Sequence, residues 1–207
     1  MPSEHRNPVQ AWLDESVERE RSEEEKWSSF AETMNQPGIE TEPMFACEIT
    51  FDHGLVTLSD HWCVLPEEGE TIKVKPGRYN VFVVGKAFGT ERRIASVSLI
   101  YADCESEELD RQESGSVGGD SWGLIFGEYQ QWHDALSEQE QEDLGEKQFG
   151  TYPDGCELFQ LSVGDKRIEA VRSFTGWGSG TFPIDTLWDE GVCVGLVCEF
   201  IYEVAEE

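Results

Sequence analysis

Positive charge is what this chain has least of. Among 207 residues, Lys and Arg number 15 against 43 Asp and Glu, a formal net charge of -28 at pH 7. Binding to nucleic acid or to an anionic membrane depends on neutralising phosphates with Lys and Arg, so this balance speaks against both. Long apolar runs are also missing: there is no stretch of eighteen apolar residues, and the opening MPSEHRNPVQAWLDESVERE has no apolar signal core. The expectation is a soluble, cytoplasmic protein. No CxxC spacing joins the six cysteines, Cys47, Cys63, Cys104, Cys156, Cys193 and Cys198. In a reducing compartment they read as buried thiols acting as small hydrophobes rather than as a disulfide framework. GxSxG is absent, and the four histidines (His5, His53, His61, His133) stand in a tail, a turn, a strand start and a helix. Nothing in the sequence brings one of them to a nucleophile.

What the chain does have is length and acid. At 207 residues it can bury a core without staples, and one main domain with an N-terminal appendage is expected. The acid concentrates in Asp14 to Glu32, Glu105 to Glu113 and Glu128 to Glu146, where charge runs form solvated faces. A field of this sign attracts a basic protein and speeds the encounter at low salt. Solubility or adaptation to high salt explains the same charge without a partner.

Over residues 1–42 an acidic helical arm is expected. Trp12, Leu13, Val17, Trp27, Phe30, Ala31 and Met34 recur at helical spacing from Pro8 to Asn35, Asn7 stands as N-cap before Pro8, and Pro37-Gly38 is the stop. From residue 43 to 207 the texture is a β-rich domain. Strands are predicted at Met44 to Phe51, Leu55 to Leu58, His61 to Leu65, Thr71 to Val74, Tyr79 to Phe88 and Arg92 to Ala102. Tyr79, Val81 and Val83 alternate with Phe82 and Val84, so both faces of that strand are apolar and it should be central. The polar, glycine-rich segment about 104–121 reads as a loop. A short strand at Trp122 to Phe126 precedes a helix at about 127–145 with Tyr129, Trp132, Leu136 and Leu144 on its apolar stripe. The last third predicts strands at Glu157 to Val163, Arg167 to Phe174, Thr181 to Trp188 and Val192 to Tyr202, and no repeat of fixed period. The fold class is therefore a β-dominated α+β: an antiparallel barrel or sandwich of eight to ten strands, with an N-terminal helix and one packed helix.

The stretch GWGSGTFP, Gly176 to Pro183, raises the question of a phosphate cradle. Such loops work because a helix begins just after them and aims free N–H groups at the anion. Here alternating residues, an Asp189-Glu190-Gly191 turn and the run from Val192 describe a hairpin instead, with no lysine in the loop. The residues GWGSGTFPIDTLWDEGVCVGLVCEFI, with the upstream HGLVTLSDHWCVLPEEGETIKVKPGRYNVFVVGKAFGTERRIASVSLIYAD, resemble the bacterial DUF4241 family. The matching positions are Gly178, Gly180, Thr181, Phe182, Pro183, Ile184 and Glu199-Phe200, while Ser179 and Phe182 stand where that family often has Asp and Tyr. The resemblance implies a compact β-rich domain of the kind met in toxin and immunity contexts, and carries no enzymatic activity with it. IKVKPGRYNVFVV is more faintly similar to competence-type nuclease inhibitors.

Three constellations bear on chemistry. Cys47, His53, His61 and Cys63 include a same-face pair, but their spacing matches no zinc pattern, so no metal is expected. Asp185, Asp189 and Glu199 offer carboxylates for acid–base work, a weak signal among 43 acids. Of seven tryptophans, Trp177 stands out because glycines flank it and leave little to cover it. The sequence thus predicts a non-enzymatic protein, without cofactor, that binds and neutralises a basic partner such as a toxin nuclease. Its contacts would be Glu105, Glu107, Glu108, Asp110, Glu138, Glu140, Glu142 and Asp143, with Trp177 as anchor. The alternative is a β-barrel small-molecule binder or unassigned hydrolase with Trp177, Asp185 and Trp122 at its mouth.

Overall fold

A computed structural model describes residues 7–15, 38–60, 70–89, 91–106, 108–120, 123–128, 131, 136–137, 155–163, 166–176 and 178–201. It begins with helix α1 (Pro8–Asp14), capped as predicted: the Asn7 side chain accepts from the Val9 N–H at 2.9 Å and Pro8 fills the first turn. The remainder of the predicted helix lies outside the described residues. Strands then follow in the order β1 (Ile39–Glu40), β2 (Met44–Phe51), β3 (Leu55–Asp60), β4 (Glu70–Lys73), β5 (Gly77–Phe88) and β6 (Glu91–Tyr101). The second half supplies β7 (Asp110–Gly119), β8 (Gly123–Glu128), β9 (Cys156–Val163), β10 (Lys166–Phe174), β11 (Gly180–Asp189) and β12 (Val192–Glu199).

These strands form two antiparallel sheets that do not close, a sandwich-like α+β fold. Sheet A runs β1-β5-β6-β12-β11-β7, with β2 also paired to β5, and sheet B runs β4-β3-β8-β10-β9. β7 of sheet A lies against β3 and β4, and β2 lies against β9 and β10, so the sheets meet along both flanks. Between them sit Phe51, Tyr79, Val81, Leu99, Phe126, Ile184 and Leu196, all at 0 to 1% exposure. Tyr79 packs edge-on to Phe51 and Tyr101 and keeps its hydroxyl satisfied by donating to the Lys75 carbonyl at 2.5 Å. α1 closes one end, with Val9 fully buried and Trp12 lying on Gly85, where any Cβ would overlap the indole.

The central position predicted for residues 79–88 holds: β5 has β6 on one side and both β1 and β2 on the other. Several expectations change. There are twelve strands among the described residues rather than eight to ten. The predicted loop over 104–121 contains β7, whose ladder to β11 runs from Gly119↔Gly180 to Asp110↔Trp188. Its inward positions are Gly115, Val117 and Gly119, so the apolar alternation that marks a strand is almost absent. The predicted helix over 127–145 gives way at its start, since Gly127 and Glu128 finish β8; Gln131 is helical, Leu136 and Ser137 are not, and most of the rest lies outside the described residues. So do His61 to Leu65 and Trp122. β12 ends at Glu199 instead of Tyr202, because the chain bends and the N–H groups of Phe200 and Ile201 both donate to the Ala95 carbonyl.

The glycine stretch bends the chain into a strand. Gly176 has φ 64°, and a Cβ there would meet the Ile94 carbonyl at 2.6 Å, while Thr175 donates across the bend to the Gly178 carbonyl. β11 starts at Gly180 and forms the predicted hairpin with β12.

Candidate functional site

Sheet A brings together acids that are distant in sequence. Because Trp188 pairs with Asp110 on one side and Cys193 on the other, the β11–β12 turn lies beside the start of β7 and the connection that feeds it. Glu105, Glu108 and Asp110 are exposed there. The connection is held by Cys104 N–H donating to the Tyr101 carbonyl and by Ser106 Oγ donating to the Glu108 carbonyl, each at 3.0 Å. Asp189 pairs with Val192, leaving a two-residue turn in which Glu190 has φ 48° and Gly191 φ 82°. Two positive φ values are what a type I′ hairpin turn needs, and Asn or Gly is the usual first residue. A glutamate in that place carries about 1 kcal/mol of backbone strain.

Among the described residues no basic side chain pairs with Glu105, Glu108, Asp110, Asp189 or Glu190. The two nearby cations are engaged otherwise. Arg78 lies 3.7 Å from Asp103 and 3.9 Å from Glu48, and Lys75 sits 3.9 Å above the Tyr101 ring. Like charges gathered without counterions raise the local field, and exposure to water is what makes this tolerable.

Next to this end, on the outer face of sheet A, one guanidinium spans two strands. Arg111 of β7 donates from Nε to Asp185 Oδ2 of β11 and from a terminal nitrogen to Glu199 Oε1 of β12, both at 2.5 Å. Desolvation pulls the Arg111 pKa down, but hydrogen bonds from the two carboxylates and their charges outweigh it and move it upward. Asp185 and Glu199, weighed above for acid–base chemistry, are therefore tied to a permanent cation, while Asp189 belongs to the turn.

The other constellation separates. Cys47 faces the seam between the sheets, where burial, then the charges of Glu157 and Glu169, push its thiol up to about 12. His53 stands in the β2–β3 turn with Nδ1 3.2 Å from Glu128, whose side chain is 1% exposed. Glu128 also accepts the N–H groups of Asp52 at 3.0 Å and His53 at 2.5 Å, so it clasps the turn that carries the chain from one sheet to the other. His61 and Cys63 lie outside the described residues, and among those described no group of three or more His, Cys, Asp or Glu is arranged to hold a metal. Cys47, Cys104, Cys156, Cys193 and Cys198 are free thiols.

Of the predicted contacts, Glu105, Glu108 and Asp110 are together at the acidic end. Glu107, Glu138, Glu140, Glu142, Asp143 and Trp177 lie outside the described residues, as does Trp122. Sequence reading missed Glu190, Glu113 and Arg111 as members of this surface. The Asp-Glu-Gly turn was visible, but its neighbours were hidden because β7 was not recognised as a strand. In comparison with known proteins, no family model, curated protein or solved structure matches this chain.

Proposed function

We propose that this protein is a non-enzymatic binding protein for a basic protein partner, and that it works by covering the partner's cationic groove. The observation that carries this reading is the acidic end of sheet A: exposed carboxylates from two distant segments, paired with no cation among the described residues, on a chain of net charge -28. A basic groove that holds nucleic-acid phosphates is complementary to such a surface, so a nuclease is the fitting target class. Electrostatic steering makes the encounter fast at low salt and slow at high salt. The alternative of a small-molecule barrel is less favoured because, among the described residues, Phe51, Tyr79, Phe126 and Leu196 occupy the space between the sheets; its mouth residues Trp122 and Trp177 lie outside the described residues.

The test is retention of proteins from source-cell lysate on the immobilised chain at low salt, elution by a salt gradient, and assay of the eluted protein. A basic protein released at moderate salt, whose activity the free chain inhibits at one-to-one ratio, is the expected result. No salt-sensitive association, or association without inhibition, overturns the reading.

A further inference from the structure

Sheet A has a second feature that sharpens this reading and rests on it. Register alone places one unbroken row of outward side chains across six strands: Phe45, Phe82, Ser98, Val197, Asp185 and Glu113. At the ordinary spacing of neighbouring strands the row is about 24 Å long. It runs from aromatic through hydroxyl and aliphatic to carboxylate. Phe45 is 44% exposed and meets Phe82 edge-on, with ring centroids 6.0 Å apart. Beside the middle of the row Ser96 and Ser98 of β6 form a low strip between Phe82 and Val84 of β5 and Val197 and Glu199 of β12, and Ile100 closes its end.

We propose that this outer face is the docking surface, and that its occupant is a basic segment of the partner protein that carries apolar residues among its cations. Apolar side chains rest on Phe45 and Phe82, and Arg or Lys crosses the strip to the carboxylates. Charge complementarity selects this occupant. Asp185 and Glu199 already hold a guanidinium, that of Arg111, which shows what they accept; each carboxylate keeps lone pairs for a second donor. The face's own cations do not repel a newcomer strongly, because each has a carboxylate: Arg78 with Glu48 and Asp103, Lys86 with Glu40, Arg93 with Glu91. Glu113, directly opposite Asp185, and the adjoining acidic end leave the net field negative. Long cationic side chains suit the strip, since their stems can lie on apolar surface while the heads reach charge. The edge of β7 that pairs with no strand among the described residues is the competing surface, and the bulge opposite Ile184 and Asp185 interrupts its ladder.

The probe is a labelled twelve-residue peptide of alternating arginine and valine, with its glutamate–valine counterpart as control, titrated into the full chain by fluorescence anisotropy at low and high salt. Three variants separate the surfaces. Asp185→Asn with Glu199→Gln and Glu105→Gln with Glu108→Gln remove the same two charges, from the face and from the acidic end respectively. Ser98→Tyr fills the strip with no change of charge and with a residue that strands favour. Expected are at least tenfold weaker binding for the Asp185/Glu199 pair and for Ser98→Tyr, and less than twofold for the Glu105/Glu108 pair. The largest amide shifts of the labelled chain should fall on Ser96, Ser98 and Val197. If the Glu105/Glu108 pair loses more, if both pairs lose equally, or if Ser98→Tyr binds normally, the face is not the docking surface, while the basic-partner reading stands. If the arginine peptide binds no better than the glutamate peptide at low salt, both fail. The amide spectrum of each variant reports folding, and the shift map on the unaltered chain decides the matter should a variant unfold.

Discussion

On sheet B the outward side chains Thr57, Ile125, Ile168 and Ala170 are as buried as the inward ones, whereas on sheet A the outward Phe82, Val84, Ser98 and Val197 keep part of their surface in water. The two sheets share one interior, and the contrast lies along the middle of their outer sides; toward the β11–β12 turn Leu187 of sheet A is buried as well. Sheet B therefore spends both faces on stability, and its polar residues must be satisfied internally. Arg172, at 9% exposure, is so satisfied in part: a terminal nitrogen donates to Glu157 at 2.6 Å and the guanidinium lies 4.6 Å from the Phe159 ring centroid, while Nε has no partner among the described residues. Sheet A spends one face on the core and leaves the other available, with its charges arranged as surface pairs worth little to folding. On the proposed function, stability and interaction are divided between the sheets.

The largest test of that division is Glu128→Ala. Removing a buried carboxylate strands the Asp52 and His53 N–H groups in the turn between β2 and β3, and the expected loss is about 3 kcal/mol or more in urea unfolding. Glu128→Gln keeps one acceptor and should fall between. A loss below about 1 kcal/mol would mean that the turn holds itself and that sheet B's buried charge is not structural.

A matched pair then sets the sheets against each other. Ile168 and Ile100 are the same residue on the outward sides of sheets B and A, at 1% exposure and half-buried respectively. Truncation to alanine should cost about 3 kcal/mol at Ile168 and about 1 kcal/mol at Ile100. Equal losses would show that sheet A's outer side is as packed as sheet B's, and the division would collapse.

How far the sequence revealed this arrangement depends on where the signal was local. β2 was predicted with its observed bounds, and β5 was legible as central because both of its faces are apolar. Asn7-Pro8 announced the helix start through a cap that acts within two residues. β7 was illegible because pairing with β11, rather than its own composition, makes it a strand. The Arg111 cluster failed for the same reason, since its partners are 74 and 88 residues away and only the β7 ladder brings them near. Charge could be counted but not placed: Glu105, Glu108 and Asp110 meet Asp189 and Glu190 only once that ladder forms.

At the seam between the sheets the thiols give a pH test. Cys47 is raised from 9.0 to about 12, and Cys156 is also raised, by burial first and then by the neighbouring Cys47. Below about pH 8 both are protonated in folded and unfolded chains alike, so stability is independent of them there. As pH rises from about 9 toward 12 the unfolded thiols ionise and the folded ones do not, and stability falls. Urea midpoints at pH 8, 9.5 and 10.5 should decline in that order, and alkylation of Cys47 in the native chain should stay slow at pH 8. Rapid native-state alkylation of Cys47 at pH 8 would place this residue in solvent and the seam open.

The smallest effect concerns Glu190, and its sign separates stability from binding most cleanly. With φ 48° at the first turn position, Glu190 occupies a conformation that asparagine adopts with less strain. Glu190→Asn should therefore stabilise the chain by about 0.5 to 1 kcal/mol, read as a higher urea midpoint with unchanged slope. The same change removes one carboxylate from the acidic end and should slow low-salt association with a basic protein while changing its affinity less than twofold. A residue kept for folding gives the opposite pair of signs, a lower midpoint and an unaltered association rate. On the proposed function, a glutamate that is locally unfavourable yet adds to the acidic field is what sheet A should carry at this tip.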